Sequence, residues 1–209
     1  MTNRDEEWPK AGARIERLTL FSDAIFAFAM TLLAVGIRVP EIAQELVASQ
    51  LNVELANLTA KFVGYGLSFF ISASFWVLYH RIFANIKRYD HTLIWLNLGF
   101  LFFIVLIPFP SDLIGRFPSQ EVSRVIYSTM MASTGFMLSL IWFYASRNHR
   151  LINEGFSSLM IRRLTVRTLI APIVFLVSIP ASLVLGEFTP VLWVLTWPLG
   201  MLTLRLYKE

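Results

Sequence analysis

Charged residues cluster along this chain, and between the clusters run long uncharged, apolar windows at 62–79, 92–111, 125–146, 168–186 and 188–204. Each is close to the ~20 residues a helix needs to cross ~30 Å of hydrocarbon. A further window at 24–37 has only 14 residues, which at ~1.5 Å per residue reaches about 21 Å. Extended back to Leu18 it becomes long enough, at the cost of taking one acid, Asp23, into or just beneath the membrane surface. The pattern predicts an all-α integral membrane protein with six transmembrane helices per subunit, forming a single domain over residues 1–209. Residues 41–58 read differently: Ile42, Leu46, Val47, Leu51, Leu55 and Leu58 suit an amphipathic surface helix better than a further span. A secretory signal peptide is the rival reading of the first window. Against it, Arg4, Lys10, Arg14 and Arg17 are balanced by Asp5, Glu6, Glu7 and Glu16, and Asp23 interrupts the junction.

Prolines punctuate the windows. Pro108 and Pro110 are expected to end the third helix, Pro172 and Pro180 to interrupt the fifth, and Pro198 to sit within the sixth. Trp8, Trp76, Trp95, Trp142, Trp193 and Trp197 lie mostly toward span ends, where interfacial anchoring is the default role.

Composition agrees with the membrane reading, since 56% of residues are hydrophobic and 15% charged. The net charge of +4 could suggest nucleic acid, but the basic residues lie between spans, so no nucleic-acid partner is expected. With six crossings, one side of the membrane holds 14 Lys and Arg residues and the other four, namely Arg38, Lys61, Arg116 and Arg124. By the positive-inside rule the N- and C-termini are cytoplasmic. The absence of cysteine excludes disulfides, thiol catalysis and thiolate metal sites. The three histidines, His80, His91 and His149, lack ligand spacing, so no metal or cofactor is expected.

An ionised side chain at the bilayer centre costs at least ~2.5 kcal/mol, so Asp23 calls for partners. Arg17, six positions earlier, is poorly placed to pair with it within one helix. Other helices offer Trp76 and His80 on the second span and Asn97 on the third, at matching depth. A buried network of Ser22, Asp23, His80 and Asn97, with the Trp76 indole donating, would satisfy each group. The alternative is that Ser22 and Asp23 merely cap a helix starting at the interface, with Arg17 reaching for headgroups. Further along, Phe28, Leu32 and Val35 form an apolar stripe, and Ala24, Ala27, Thr31 and Ala34 an adjacent stripe of small residues that permits close helix approach. Apolar constrictions can gate ions by dewetting, which matters if this helix faces a symmetry axis.

These residues resemble a known family. "RLTLFSD", through Arg17, Phe21, Ser22 and Asp23, matches the R-x-x-x-F-S-D signature opening the first helix of the transmembrane protein 175 family of potassium channels. "FWVLYH" is similar to that family's Trp and His segment, through Trp76 and His80, and "LNLGFLFFIVLIPFP" to its third-helix Asn and proline end, through Asn97. The resemblance covers all six spans in layout, with strong motif identity from Arg17 to about Pro110. It implies homotetramers in a prokaryotic plasma (inner) membrane, around a pore lined by the first helix and passing potassium ions. Phe28, Leu32 and Val35 would be the hydrophobic constriction, and Thr31 a hydroxyl layer implicated in selectivity. Arg17, Phe21, Ser22, Asp23, Trp76, His80 and Asn97 would fix the pore helix and the subunit contacts. Phe28 stands where relatives usually carry isoleucine or leucine, and Ala24 where glycine is common.

The function expected is therefore passive, potassium-selective conduction without catalysis. A proton-coupled secondary transporter is the alternative, because Asp23 and His80 could relay protons and the later prolines could break helices, although inverted repeats are missing. No hydrolase, metalloprotease or phosphate-loop motif points to an enzyme.

Overall fold

The computed structural model describes residues 11–153 and 155–206. Trp8, Arg4, Lys10 and Lys208 lie outside the described residues, as do the side chains of Arg14 and Arg205. Apart from an isolated bridge between Ile86 and Ile152, the described elements are helical: α1 (Ala11–Val35), α2 (Val47–Asn57), α3 (Thr59–Phe83), α4 (His91–Leu106), α5 (Pro108–Arg116), α6 (Glu121–Ser146), α7 (Ser158–Leu185), α8 (Thr189–Val194) and α9 (Thr196–Leu206), with 3-10 turns at Gln44–Leu46, Arg147–His149 and Gly186–Phe188.

Among the described residues, five segments are long and apolar enough to cross a membrane: Ile15–Val35, Gln44–Phe83, His91–Arg116, Glu121–His149 and Ser158–Thr203. The last is 46 residues long and contains both of the final two windows of the sequence. Gly186, at φ +53, interrupts it in a backbone region that L side chains rarely adopt. Beyond that break α8 and α9 pack back against α7.

The expected proline breaks do not all occur. At Pro108 the helix does end, α4 closing at Leu106, but Ile107 keeps helical dihedrals (φ −52, ψ −38) and Pro108 opens α5, where a missing N–H costs nothing. Pro172 and Pro180 both lie inside a continuous α7. At Pro172 the neighbouring helix supplies the remedy. Gly135 of α6 has no side chain, and a Cβ there would stand 2.7 Å from Pro172 Cδ, so only glycine lets the ring seat. The Thr168 carbonyl, which the proline deprives of its helical donor, lies 2.9 Å from the hydroxyl of Ser139 on α6, whose single proton it shares with the Gly135 carbonyl at 2.8 Å. The more extensive helix pairing in the molecule, α6 on α7, is built around this exchange.

Packing runs from α1 against α3, α4 and α5, through α4 to α6, and on to α7 with α8 and α9. One aromatic core joins the first group, where Tyr79 stacks on Phe100 at 5.7 Å and both meet Phe26. A second core joins the last group, where Tyr127 stacks on Trp193 at 4.4 Å beside Phe175. α2 packs on the 3-10 turn before it and on α3, and its Leu51, Val53 and Leu55 are exposed. That agrees with a helix whose apolar side rests on something other than the bundle.

Candidate functional site

α1 presents two unlike faces. Ser22, Phe26, Ala29 and Leu33 recur at i, i+4, i+7 and i+11 and are buried against the bundle. Opposite them, Ala24, Phe28, Thr31 and Val35 follow the same spacing and are exposed, with Phe28 at 59% and Val35 at 62%. Ala27 and Ala34 flank that row and are exposed too, whereas Leu32 sits at its edge, half-buried. Over the 11 steps from Ala24 to Val35, about 16 Å of helix at ~1.5 Å per residue, this surface stays exposed among the described residues. Thr31 lies mid-row, and its hydroxyl donates to the Phe28 carbonyl at 2.8 Å. The proton is thereby committed to the helix, and the oxygen lone pairs are what the face presents.

The buried face is fixed by hydrogen bonds. A serine hydroxyl has one donor and two acceptor sites, and Ser22 uses all three. It donates to the Leu18 carbonyl at 2.9 Å and accepts from Tyr79 Oη at 2.8 Å and Asn97 Nδ2 at 3.1 Å. Three helices, α1, α3 and α4, thus meet on one oxygen. The adjacent Asp23 Oδ1 accepts the Trp76 indole N–H at 2.9 Å and lies 2.8 Å from His80 Nε2. Trp76 and His80 are four residues apart on α3, which puts both rings on one face, in a T-shaped contact at 4.5 Å.

The structure therefore brings together Ser22, Asp23, Trp76, His80 and Asn97. It leaves Arg17 and Phe21 on the exposed side of α1, outside the cluster. Capping is not the role of Ser22 and Asp23, because α1 begins at Ala11, about three turns earlier. The cluster is open at one edge: the Asp23 and His80 side chains are 35% and 38% exposed. Sequence reasoning missed Tyr79, which holds the second hydrogen bond to Ser22. Its position three residues after Trp76 and one before His80 was the available signal.

A second polar cluster lies between the later helices. Ser178 Oγ on α7 is 2.8 Å from Ser128 Oγ on α6 and accepts the Trp193 indole N–H from α8 at 3.0 Å. Next to it Tyr127 Oη meets Ser68 Oγ of α3 at 3.1 Å. All five residues are fully buried. Elsewhere, the His149 ring faces the Phe156 carbonyl at 3.2 Å. Among the described residues no group of three or more His, Cys, Asp or Glu could hold a metal.

Comparison with known proteins follows this geometry. Residues 17–108 match the family described as endosomal/lysosomal potassium channel TMEM175, a stretch that contains α1 from Arg17 and every residue of the Ser22–Asp23 cluster. A protein of Chamaesiphon minutus named a potassium channel is 27% identical over 172 residues, covering 80% of this chain and 84% of its own length. Another so named, from Streptomyces collinus, is 27% identical over 66% of this chain and 67% of its own. A zebrafish protein named endosomal/lysosomal proton channel TMEM175 is also 27% identical, over 66% of this chain but 26% of its own length. Among solved structures, that of a lysosomal potassium-selective channel TMEM175 homolog from Chamaesiphon minutus superimposes with a TM-score of 0.78. It is 24% identical and covers 91% of this chain and 98% of that one.

Proposed function

We propose that the chain is a member of the TMEM175 family, whose model its residues 17–108 match, and the subunit of a passive, potassium-selective channel in a prokaryotic plasma membrane. Four copies surround a pore lined by α1. α8 and α9 together make the sixth crossing, which places both termini in the cytoplasm. The observation that carries this reading is the exposed face of α1, held in a fixed rotation by the cluster on its opposite side. In the assembled channel that face turns inward. The small residues Ala24, Ala27 and Ala34 allow four helices to approach. Phe28 and Val35, with Leu32 at the edge, form the apolar constriction, which conducts only when wetted. Thr31 supplies a ring of hydroxyl oxygens whose protons are spent within the helix, so the ring offers acceptors, suited to a partly dehydrated cation and not to an anion.

Arg17, Phe21, Ser22, Asp23, Trp76, His80 and Asn97 are positioning groups in this scheme. The proton-coupled transporter reading is not favoured, because the relatives are named as channels and Asp23 and His80 are engaged with each other in a lateral contact.

Ion flux in liposomes tests the proposal. The purified protein should pass potassium in preference to sodium, with proton flux measured in parallel because the zebrafish relative is named for protons. Phe28→Ala should raise the potassium flux several-fold or relax its preference over sodium. If neither the native protein nor the variant moves any of the three ions, the channel reading is lost.

A further inference from the structure

α4 and α6 pack side by side, and at one end they meet the membrane boundary together: the apolar segment His91–Arg116 begins where the segment Glu121–His149 closes. A cleft of about 780 Å³ lies between the two helices at this level. Leu96 and Leu140 line its apolar part, and Phe143, Tyr144, Arg147 and Arg150 its outer part. Leu140 precedes Arg147 by seven residues, about 10 Å of helix, so the cleft reaches from the boundary into the apolar layer.

The two arginines are placed by what lies beneath them. α6 closes at Ser146, and Asn148 and His149 follow it with φ of 52 and 53, a left-handed region that asparagine tolerates better than most side chains. The turn is tied by Arg150 N–H on the Arg147 carbonyl at 3.1 Å and Leu151 N–H on the Ala145 carbonyl at 3.0 Å, which folds Arg150 back over α6. Its guanidinium carbon stands 4.8 Å from the centre of the Tyr144 ring, and that of Arg147 6.0 Å from the centre of Phe143. Tyr144 is itself pinned, its hydroxyl donating to Asp90 Oδ2 at 2.6 Å, while Asp90 Oδ1 accepts the Leu93 N–H and caps α4. The carboxylate beside the cleft is therefore engaged with a phenol and a helix end. A ring contact uses the charge of a guanidinium and not its N–H donors, and those donors match phosphate oxygens as a fork.

We propose that this cleft binds an anionic phospholipid, with Arg147 and Arg150 holding its phosphate at the boundary and one acyl chain lying inward along Leu96 and Leu140. A soluble phosphate would meet the same two guanidiniums but has no use for the apolar wall that continues behind them, so a lipid is the occupant assigned.

Native mass spectrometry of the full-length protein tests this. Phosphatidylglycerol and phosphatidylcholine of matched acyl chains are offered together, with and without excess inorganic phosphate. Phosphatidylglycerol should be retained selectively, and phosphate should not displace it. Arg147→Gln and Arg150→Gln should each lower its retention about fivefold, the weight of one basic residue at a membrane surface. Leu140→Gln, at an exposed position of the apolar part, should lower retention while leaving both arginines in place. Arg162, in the second turn of α7 at the same end of the bundle, is exposed and lies outside the cleft, so Arg162→Gln should leave retention unchanged.

Equal retention of both lipids overturns the proposal. So does a loss in Arg162→Gln as large as that in Arg150→Gln, because overall surface charge would then account for the binding. Displacement by phosphate, with Leu140→Gln behaving as the native protein, identifies a soluble-anion site and overturns the lipid assignment. Ion movement enters none of these readouts, so the lipid site and the pore stand or fall separately.

Discussion

Around Ser178, three residues from α6, α7 and α8 form a polar cluster sealed from solvent and composed only of neutral groups. Around Asp23, side chains from α1, α3 and α4 form one that contains an acid and stays more than a third exposed at its Asp23–His80 edge. Serine and tryptophan appear in both. The difference is what closes them. The Ser178 cluster is complete within the chain, so its contribution is to folding. The Asp23 cluster saturates the Ser22 hydroxyl, but it leaves Asn97 Oδ1 buried without a partner among the described residues and is open on its carboxylate side, which is where a second copy of the chain can take part. A polar network thus reports on function through its open edge more than through its membership.

Three substitutions can break or sharpen this contrast. Asp23→Ala has the largest expected effect. It removes the shared acceptor of Trp76 and His80 and should cost about 3 kcal/mol, toward the lower end for two hydrogen bonds to a charged group because the site is partly exposed. Thermal unfolding in detergent would measure this, and size-exclusion chromatography should show a smaller assembly. An unchanged oligomer and melting temperature would put the Asp23 cluster on the same footing as the sealed one. Ser178→Ala should cost about 2 kcal/mol by stranding the buried Trp193 donor, yet leave the assembly intact. A loss of oligomer there would erase the distinction between the clusters. Trp76→Phe is the mildest. It deletes one donor while His80 still faces Asp23, and should lower stability by about 1 kcal/mol without changing assembly size.

The first cluster was legible in the sequence and the second was not, for a physical reason. An acid inside an apolar window is conspicuous because burying it is expensive, and that expense forces a search for partners at matching depth. Ser128, Ser178 and Trp193 carry no charge and sit in windows where serine and tryptophan are unremarkable, so nothing in one dimension singles them out. Trp193 was expected to anchor at the interface but is fully buried. Placement of the apolar windows anticipated the helices, although the last two windows fall within one candidate span, while Pro172 and Pro180 misled. Pro172 looks like a break in isolation, and only the third dimension supplies the Ser139 hydroxyl. The stripe of Phe28, Leu32 and Val35 was drawn a little off the centre of the exposed face, because spacing alone fixes a helix's period and not its rotation about its axis.

That rotation is settled by a saturated oxygen. Ser22 has no unused hydrogen-bonding capacity, and its partners stand on two other helices. Twisting α1 by even one residue's angle would strip it of Tyr79 and Asn97 together and draw Asp23 away from Trp76 and His80. In the proposed channel, any opening motion must therefore spare this end of the helix. Swinging rings, a changed tilt, or bending beyond the Ser22 turn remain available as gating movements, and a corkscrew does not.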